Sequence, residues 1–499
     1  MLPFRDSCAL ILLIFSTVAG ASAPFGFEDV SRRAQQLSAK PYKAPDFTLP
    51  KALAEMKYDQ LRSLRFRPDH ALWRNANLPF EVQFFHLGFL FKEPVQVNTI
   101  VDGRAKPYPF DPSAFDYATI NITPDEAKKL GYAGFRLHYP INKAEYKDEV
   151  AVFLGASYFR AVGKKQAYGL SSRGLAVDTA EMSGEEYPAF REFWLERPAA
   201  DARELVVYAL LDSRRVAGAY RFVVRPGVTT TLEVRARLFL REPIAKVGIA
   251  ALNSMYFFGS NQPAPAEDFR PEVHDNDGLS VASGSGEWIW RPLVNPRRLL
   301  VTSFSDKNPR GFGLMQRQRN FAHYEDLETH YENRPSAWVE PIGDWGAGRV
   351  ELVQIPTAEE LNDNIVAYWV PNPLPEPKKP YDFAYKLHWQ MEKETAPPSA
   401  RVTQTRREAH DDDALFVVDF DGPALEKLGG DAAVDAVVSS NEHAQVTESH
   451  AVRNDSEGGW RMAMRVHRKD KDQPVELRGF LKGPDGALSE TWSYIWPPP

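Results

Sequence analysis

The sequence predicts an all-β protein: a large antiparallel sandwich with a second, smaller sandwich behind it. Three observations carry that expectation. Short apolar or alternating runs recur along most of the chain, and Gly, Pro, Asn or Asp separates most of them. Thirty-nine prolines and thirty-one glycines leave few stretches able to hold a long helical period. The strand-like runs are not interleaved with helical patterns, which argues against a parallel α/β sheet. No fixed period marks a propeller or a solenoid. At 499 residues the chain exceeds one ordinary core, so two or three domains are expected.

The first element is a targeting segment. Arg5 precedes the apolar run 8–15, and small residues ending Ala21-Ser22-Ala23 follow it. That is the layout of a cleaved secretory signal peptide, assigned to residues 1–23. The apolar run falls short of the roughly 20 residues needed to span a bilayer. Adjacent arginines are absent, so the general (Sec) secretion route fits better than the twin-arginine one. Cys8, the only cysteine, lies before the apolar core, which argues against a lipid anchor and leaves the mature chain without disulfides. A soluble, exported, periplasmic protein is expected, held together by its core.

Phe27–Lys40 reads as a short amphipathic helix with Val30, Ala34 and Leu37 on one side, and Leu49–Leu64 has room for another. Thereafter strands dominate: Glu81–Phe91, Val206–Leu211, Tyr220–Val224, Val350–Ile355 and Ile365–Trp369. Leu232–Leu240 alternates for much of its length, as a strand with one buried face should. Pro371–Pro380 is proline-dense, but Phe383–Trp389 resumes a strand at once, so a stiff surface loop is expected there. The polar segment Glu392–Ala400, with Pro397-Pro398, makes the better boundary. Beyond it Phe416–Phe420, Trp460–Val466, Val475–Leu481 and Trp492–Trp496 suggest a compact immunoglobulin-like sandwich. The expected domains are 24–391 and 401–499, joined by 392–400.

A net charge of −7 gives no basic excess for a nucleic-acid partner. Nucleotide loops, H-E-x-x-H, paired cysteines and the G-x-S-x-G elbow are all missing, so neither metal nor cofactor is expected. The glycine pairs Gly284/Gly286 and Gly311/Gly313 lie in strand-like surroundings and open no helix. The informative stretch runs from Glu267 to Trp369, where Trp and Tyr mix with Asp, Glu and Arg in turn-rich segments. Aromatic faces beside carboxylates suit sugars, whose C–H faces lie on rings while hydroxyls take charged partners.

His274-Asp-Asn-Asp-Gly278 admits three readings: a Ca²⁺ loop, a plain β-turn, or a catalytic carboxylate at the mouth of a sandwich. The first lacks a distant bidentate Glu and flanking helices. On the third, Asp275 or Asp277 would pair with Glu359, Glu360 or Asp363, since glycoside cleavage needs one acid and one base. Trp288, Trp290, Trp338, Trp345 and Trp369 are ambiguous, and more than half are expected in the core. Arg291, Arg317, Arg319 and Arg334 are candidate hydroxyl or carboxylate binders, though structural ion pairs are the commoner fate.

Over almost its entire mature length the chain resembles the periplasmic glucan biosynthesis proteins of the OpgG/OpgD (MdoG/MdoD) type. The carrying segments are Phe25–Val30, Leu64–Pro68, Phe84–Gly88, Gly155–Arg160, Tyr168–Ala176, Phe269–Asp275, Gly286–Leu293 and Asn362–Val366. The Sec-type signal fits the OpgG branch. The resemblance implies a galactose-mutarotase-like antiparallel β-sandwich followed by an immunoglobulin-like one. It also implies action on the β-1,2-linked backbone of osmoregulated periplasmic glucans. On the matching motifs, Asp363 falls at the general acid of an inverting glycoside hydrolase and Asp275 at its general base. Tyr331 and Glu360 fall near the reaction centre, and Trp338 and Arg334 are assigned with them to substrate binding. The expected partner is β-1,2-glucan, with an inner-membrane glucan synthase as a further candidate. The sequence leaves oligomeric state open. Two alternatives stand beside hydrolysis: a transglycosylase that closes or rearranges the glucan, and a non-catalytic glucan-binding scaffold.

Overall fold

Alternation along Thr230–Leu240 shows how the chain builds its sheets. Leu232, Val234, Ala236 and Leu238 are completely buried, while Glu233, Arg235 and Arg237 turn outward. Each full burial of a Leu or Val is worth ~1.5–3 kcal/mol, which fixes which face of the strand points inward. The computed structural model describes residues 23–117, 120–264, 267–391, 397, 399–429 and 432–498. All of the expected signal peptide except Ala23, and most of the 392–400 boundary, lie outside the described residues.

Two large sheets face each other. One holds fifteen strands, and Thr230–Leu240 lies within it between antiparallel neighbours Val216–Arg225 and Pro380–Gln390. The other holds ten, and its central strands are Ser171–Arg173, Val247–Ser254 and Ile365–Pro371. Side chains from both inner faces, among them Phe135, Phe153, Phe222, Leu252, Leu387 and Trp369, form one continuous core. The protein is thus the all-β sandwich that the strand pattern predicts. The helix Phe27–Ser38 covers part of the outer face of the larger sheet, with Val30 and Ala34 packed against Ala217 and Ala219.

The structure differs from expectation in two places. Leu49–Leu64 holds two short helices, Lys51–Ala54 and Tyr58–Ser63. Met56, between them, is buried in the main core against Gly88, a tertiary contact that overrides the helical pattern. The second difference concerns the tail. Four of its strands (Arg401–His410, Asp413–Asp421, Trp460–Arg468 and Ala444–Arg453) form a sheet of their own. Its remaining strands join the fifteen-stranded sheet, because Thr491–Trp496 runs parallel to Trp288–Pro292 with Trp290 opposite Trp492. The second core therefore draws on both parts of the chain. Trp288, Trp290 and Trp338 bury their indoles there with Phe416, Met462 and Tyr494.

A buried ion pair fastens this junction. Arg317 donates to both carboxylate oxygens of Glu490 at 2.6 and 3.2 Å, with both side chains almost wholly buried. The guanidinium also lies 3.6 Å from the Trp290 ring centroid, and Glu490 accepts the Val402 N–H at 2.7 Å. Removing Glu490 takes from the buried Arg317 its bidentate carboxylate and from the Val402 N–H its acceptor. Glu490→Ala is expected to destabilise the protein by ~3–5 kcal/mol. Urea unfolding of the variant beside the parent measures it, and an unchanged midpoint would show that the pair does not hold the junction.

Candidate active site

The turn 274–278 is pinned residue by residue. Before it, Val273–His274 pairs with Tyr256–Phe258; after it, Gly278–Ala282 enters the large sheet. The Asp275 N–H donates to the Met255 carbonyl at 2.9 Å and the Asp277 N–H to that of Met315 at 2.9 Å. Between them, Asn276 accepts from the Ser254 hydroxyl at 2.7 Å and donates to the Pro335 carbonyl at 3.2 Å. The segment is a turn whose backbone is hydrogen-bonded on both sides, and Asp275 within it is buried.

Behind the turn lies a fully buried imidazole. His274 stacks on Tyr256, 5.4 Å between ring centroids, and contacts Glu272 through Nε2 at 2.8 Å and Gln316 through Nδ1 at 3.0 Å. Glu272 also meets His323 at 2.8 Å. Burial pushes the Glu272 carboxyl up, but hydrogen bonds and charge from both histidines outweigh it and hold the group down at about 2. Burial opposes the charged form of His274 too, yet Glu272 outweighs that and raises its pKa.

Asp363 reaches the same place from the other large sheet. It precedes the strand Ile365–Pro371, and its neighbour Asn364 imitates a paired strand residue. The Asn364 side chain accepts the Tyr256 N–H at 2.9 Å and donates to the Tyr256 and Ile355 carbonyls, each at 3.0 Å. Asp275 is tied to Met255 and Asp363 follows from the clamp on Tyr256, so consecutive residues of one segment bring the two acids together. Asp363 keeps solvent-accessible surface although protein atoms crowd it, the combination that a concave surface produces. Burial raises its pKa to about 6, and the Asp275 charge adds to the rise against Arg160, Arg334 and Arg173.

Asp275 is almost wholly buried and forms an ion pair with Arg334. Burial lifts its pKa and the Arg334 charge pulls it back, leaving it above the ordinary carboxylate range. The guanidinium in direct contact opposes the rise that burial imposes on Asp275. Arg334 lies over the Tyr331 ring at 4.2 Å from its centroid. Gly169 leaves room for it: a Cβ there would come within 3.0 Å of the Arg334 side chain.

Opposite stand two more arginines. Arg173 is buried and pairs with Glu185 at 2.5 Å, between the rings of Tyr158 and Tyr187. Arg160 is exposed over the Tyr168 ring at 4.2 Å and has no ion-pair partner among the described residues. Arg270 joins three loops: it reaches Glu360 at 2.7 Å, Asp268 at 2.9 Å and Asp326 at 3.2 Å. The arrangement is two carboxyl groups with raised pKa values in a cationic, aromatic-walled recess.

Among the residues singled out in the sequence, Asp275, Asp363, Tyr331, Arg334 and Glu360 come together. Glu360 is engaged by Arg270. Trp338 stands apart, 2% exposed and stacked on Trp288 in the second core. Asp277 is buried and accepts the N–H groups of Arg317 and Gln318, each at 3.0 Å, and Glu359 is exposed on the loop surface. Sequence reasoning gave no role to Arg160, Arg173, Arg270, Glu272 or Asn364, although all lie within or beside the segments that carry the family resemblance. Among the described residues, no group of three or more His, Cys, Asp or Glu could hold a metal ion.

A family model described as "Periplasmic glucan biosynthesis protein, MdoG" matches residues 25–496. A protein of Ralstonia nicotianae named "Glucans biosynthesis protein G" is 56% identical, covering 96% of this chain and 97% of its own length. Proteins of the same name from Pseudomonas aeruginosa and Pectobacterium atrosepticum are 49% and 47% identical, covering 99% and 98% of this chain. They cover 98% and 95% of their own lengths.

The Arg270 junction makes a prediction that is independent of any activity. Arg270→Met frees Glu360 and Asp326 while leaving the turn 274–278 pinned. Amide hydrogen exchange is expected to speed up in residues 357–363 and 326–330 and to stay slow in 278–282. Unchanged exchange in 357–363 would show that the loop is held by other contacts.

Proposed function

The chain belongs to the MdoG family of periplasmic glucan biosynthesis proteins, and we propose that it acts there by inverting cleavage of a β-1,2-glucan backbone. A role in periplasmic glucan biosynthesis follows from the family and from the names of its relatives. Among the described residues no helix is long and apolar enough to cross a membrane. The observation that supports cleavage is the unequal pair: Asp363 with its pKa raised to about 6, beside Asp275 in contact with Arg334.

In this reading Asp363 gives its proton to the glucosidic oxygen as the C1–O bond breaks. Water attacks C1 from the opposite face, and its proton passes to Asp275, directly or through an intervening water or sugar hydroxyl. A C1–O bond to the attacking oxygen replaces the one lost, with inversion. Asp275 ends protonated and Asp363 ionised, so the pair must exchange a proton before the next turnover. Arg160, exposed and without an ion-pair partner among the described residues, binds glucan hydroxyls, and the Tyr331 ring under Arg334 forms another wall.

A general acid must carry its proton, so kcat/KM on linear β-1,2-glucan is expected to fall as pH rises through about 6. Asp363→Asn is expected to lower cleavage by ~10²–10⁴-fold while glucan still binds. Mass spectrometry of the products reads the reaction: shorter glucans with one added water per cut support hydrolysis. Products without that water would replace hydrolysis by transfer or cyclisation, and full activity in the variant would remove Asp363 from the chemistry.

A further inference from the structure

A second cleft, of about 670 Å³, opens between the segment 69–76 and the strand Gln96–Val101, and Tyr108, Asp111 and Arg197 complete its wall. It shares no residue with the recess around Asp275 and Asp363. Its volume lies within the ~300–1,000 Å³ typical of small-ligand sites.

The groups lining it are unsatisfied in an informative way. Trp73 is 8% exposed, yet its indole N–H has no acceptor among the described residues and is not sealed from solvent. Its backbone is held at φ 71°, a conformation uncommon for a bulky side chain, in the turn that presents it to the cleft. Arg197 is exposed with no side-chain partner among the described residues, and the same is true of Asn75 and Asp69. Tyr108 stacks on Phe84 at 5.3 Å and carries a hydroxyl with no partner among the described residues.

The cleft therefore offers separate donors (an indole N–H, a guanidinium, an amide) and acceptors over an apolar floor: Asp69, and Asp111, one of whose oxygens is taken by Ser113 while the other faces His70 at 3.4 Å. One arginine and one histidine against two carboxylates give no field of a single sign, so neither a strongly anionic nor a strongly cationic ligand is favoured. A ligand that both donates and accepts at many points while remaining neutral fits this lining. Sugar hydroxyls have that property.

We propose that this cleft is a second carbohydrate-binding site, taking an uncharged oligosaccharide stretch of the glucan. The identity of the ligand as glucan rests on the function proposed above, whereas the neutral, polyhydroxylated class rests on the cleft itself. A second hold on a polymer raises the effective concentration of the rest of it at the acid pair, without any new contact there.

Hydrogen exchange with and without linear β-1,2-gluco-oligosaccharide, in the Asp363→Asn protein that cannot consume it, reads both sites separately. Protection is expected in 69–76 as well as in 357–363. Arg197→Ala combined with Asn75→Ala, both at exposed positions, is expected to weaken binding at 69–76 about tenfold and to leave 357–363 unchanged. Protection confined to 357–363 overturns the second site and leaves the acid-pair reading standing. Protection confined to 69–76 supports the second site and overturns the acid-pair reading. Protection in neither segment overturns both.

Discussion

Two carboxylates crowded together under protein atoms resist being ionised at the same time, and the surroundings of Asp275 and Asp363 are organised around that constraint. Burial raises the pKa of both. A guanidinium in contact with one of them breaks the symmetry, and Arg334 is placed against Asp275 alone. Arg160 and Arg173 oppose the rise at Asp363 without cancelling it. The two carboxyl groups therefore sit in unlike surroundings although they are alike in chemistry.

Placing two groups that repel each other demands rigid support, and the support comes from backbone. The segment Met255–Tyr256 is shared by both acids: one is hydrogen-bonded to it directly and the other is held through the Asn364 side chain. Both acids are thus positioned from one dipeptide. Beneath it, the buried Glu272–His274 contact occupies the space behind Asp275 with groups of opposite charge, so the turn rests on a satisfied polar layer.

Much of this was legible in the sequence, and the reasons for the rest are physical. Alternation in Leu232–Leu240 and the short apolar runs declared an all-β chain because side-chain period and burial are coupled in a strand. Asp275 and Asp363, eighty-eight positions apart in the sequence, are singled out together by resemblance, since no spacing rule reports a proximity made across two sheets. Arg270 and Asn364 were invisible for a different reason. Each acts through partners in other loops, and an isolated Arg or Asn looks the same whether it is solvated or clamped. Trp338 erred the opposite way: an indole near acids in sequence suits a sugar platform, but its strand turns that face toward the second core. Likewise the tail reads as a separate sandwich because its strands carry their own alternation. Nothing in that alternation reveals that Thr491–Trp496 pairs with Trp288–Pro292.

That last pairing has a consequence for the order in which the molecule can be completed. A polypeptide emerges from its N-terminal end, and Trp288–Pro292 appears some two hundred residues before the strand that will lie beside it. Until the final segment arrives, this strand has one row of N–H and C=O groups unpaired and two indoles uncovered. Thr491–Trp496 is the strand that closes this seam. A chain cut short anywhere in its C-terminal fifth would be left with an adhesive edge rather than with a smaller finished protein.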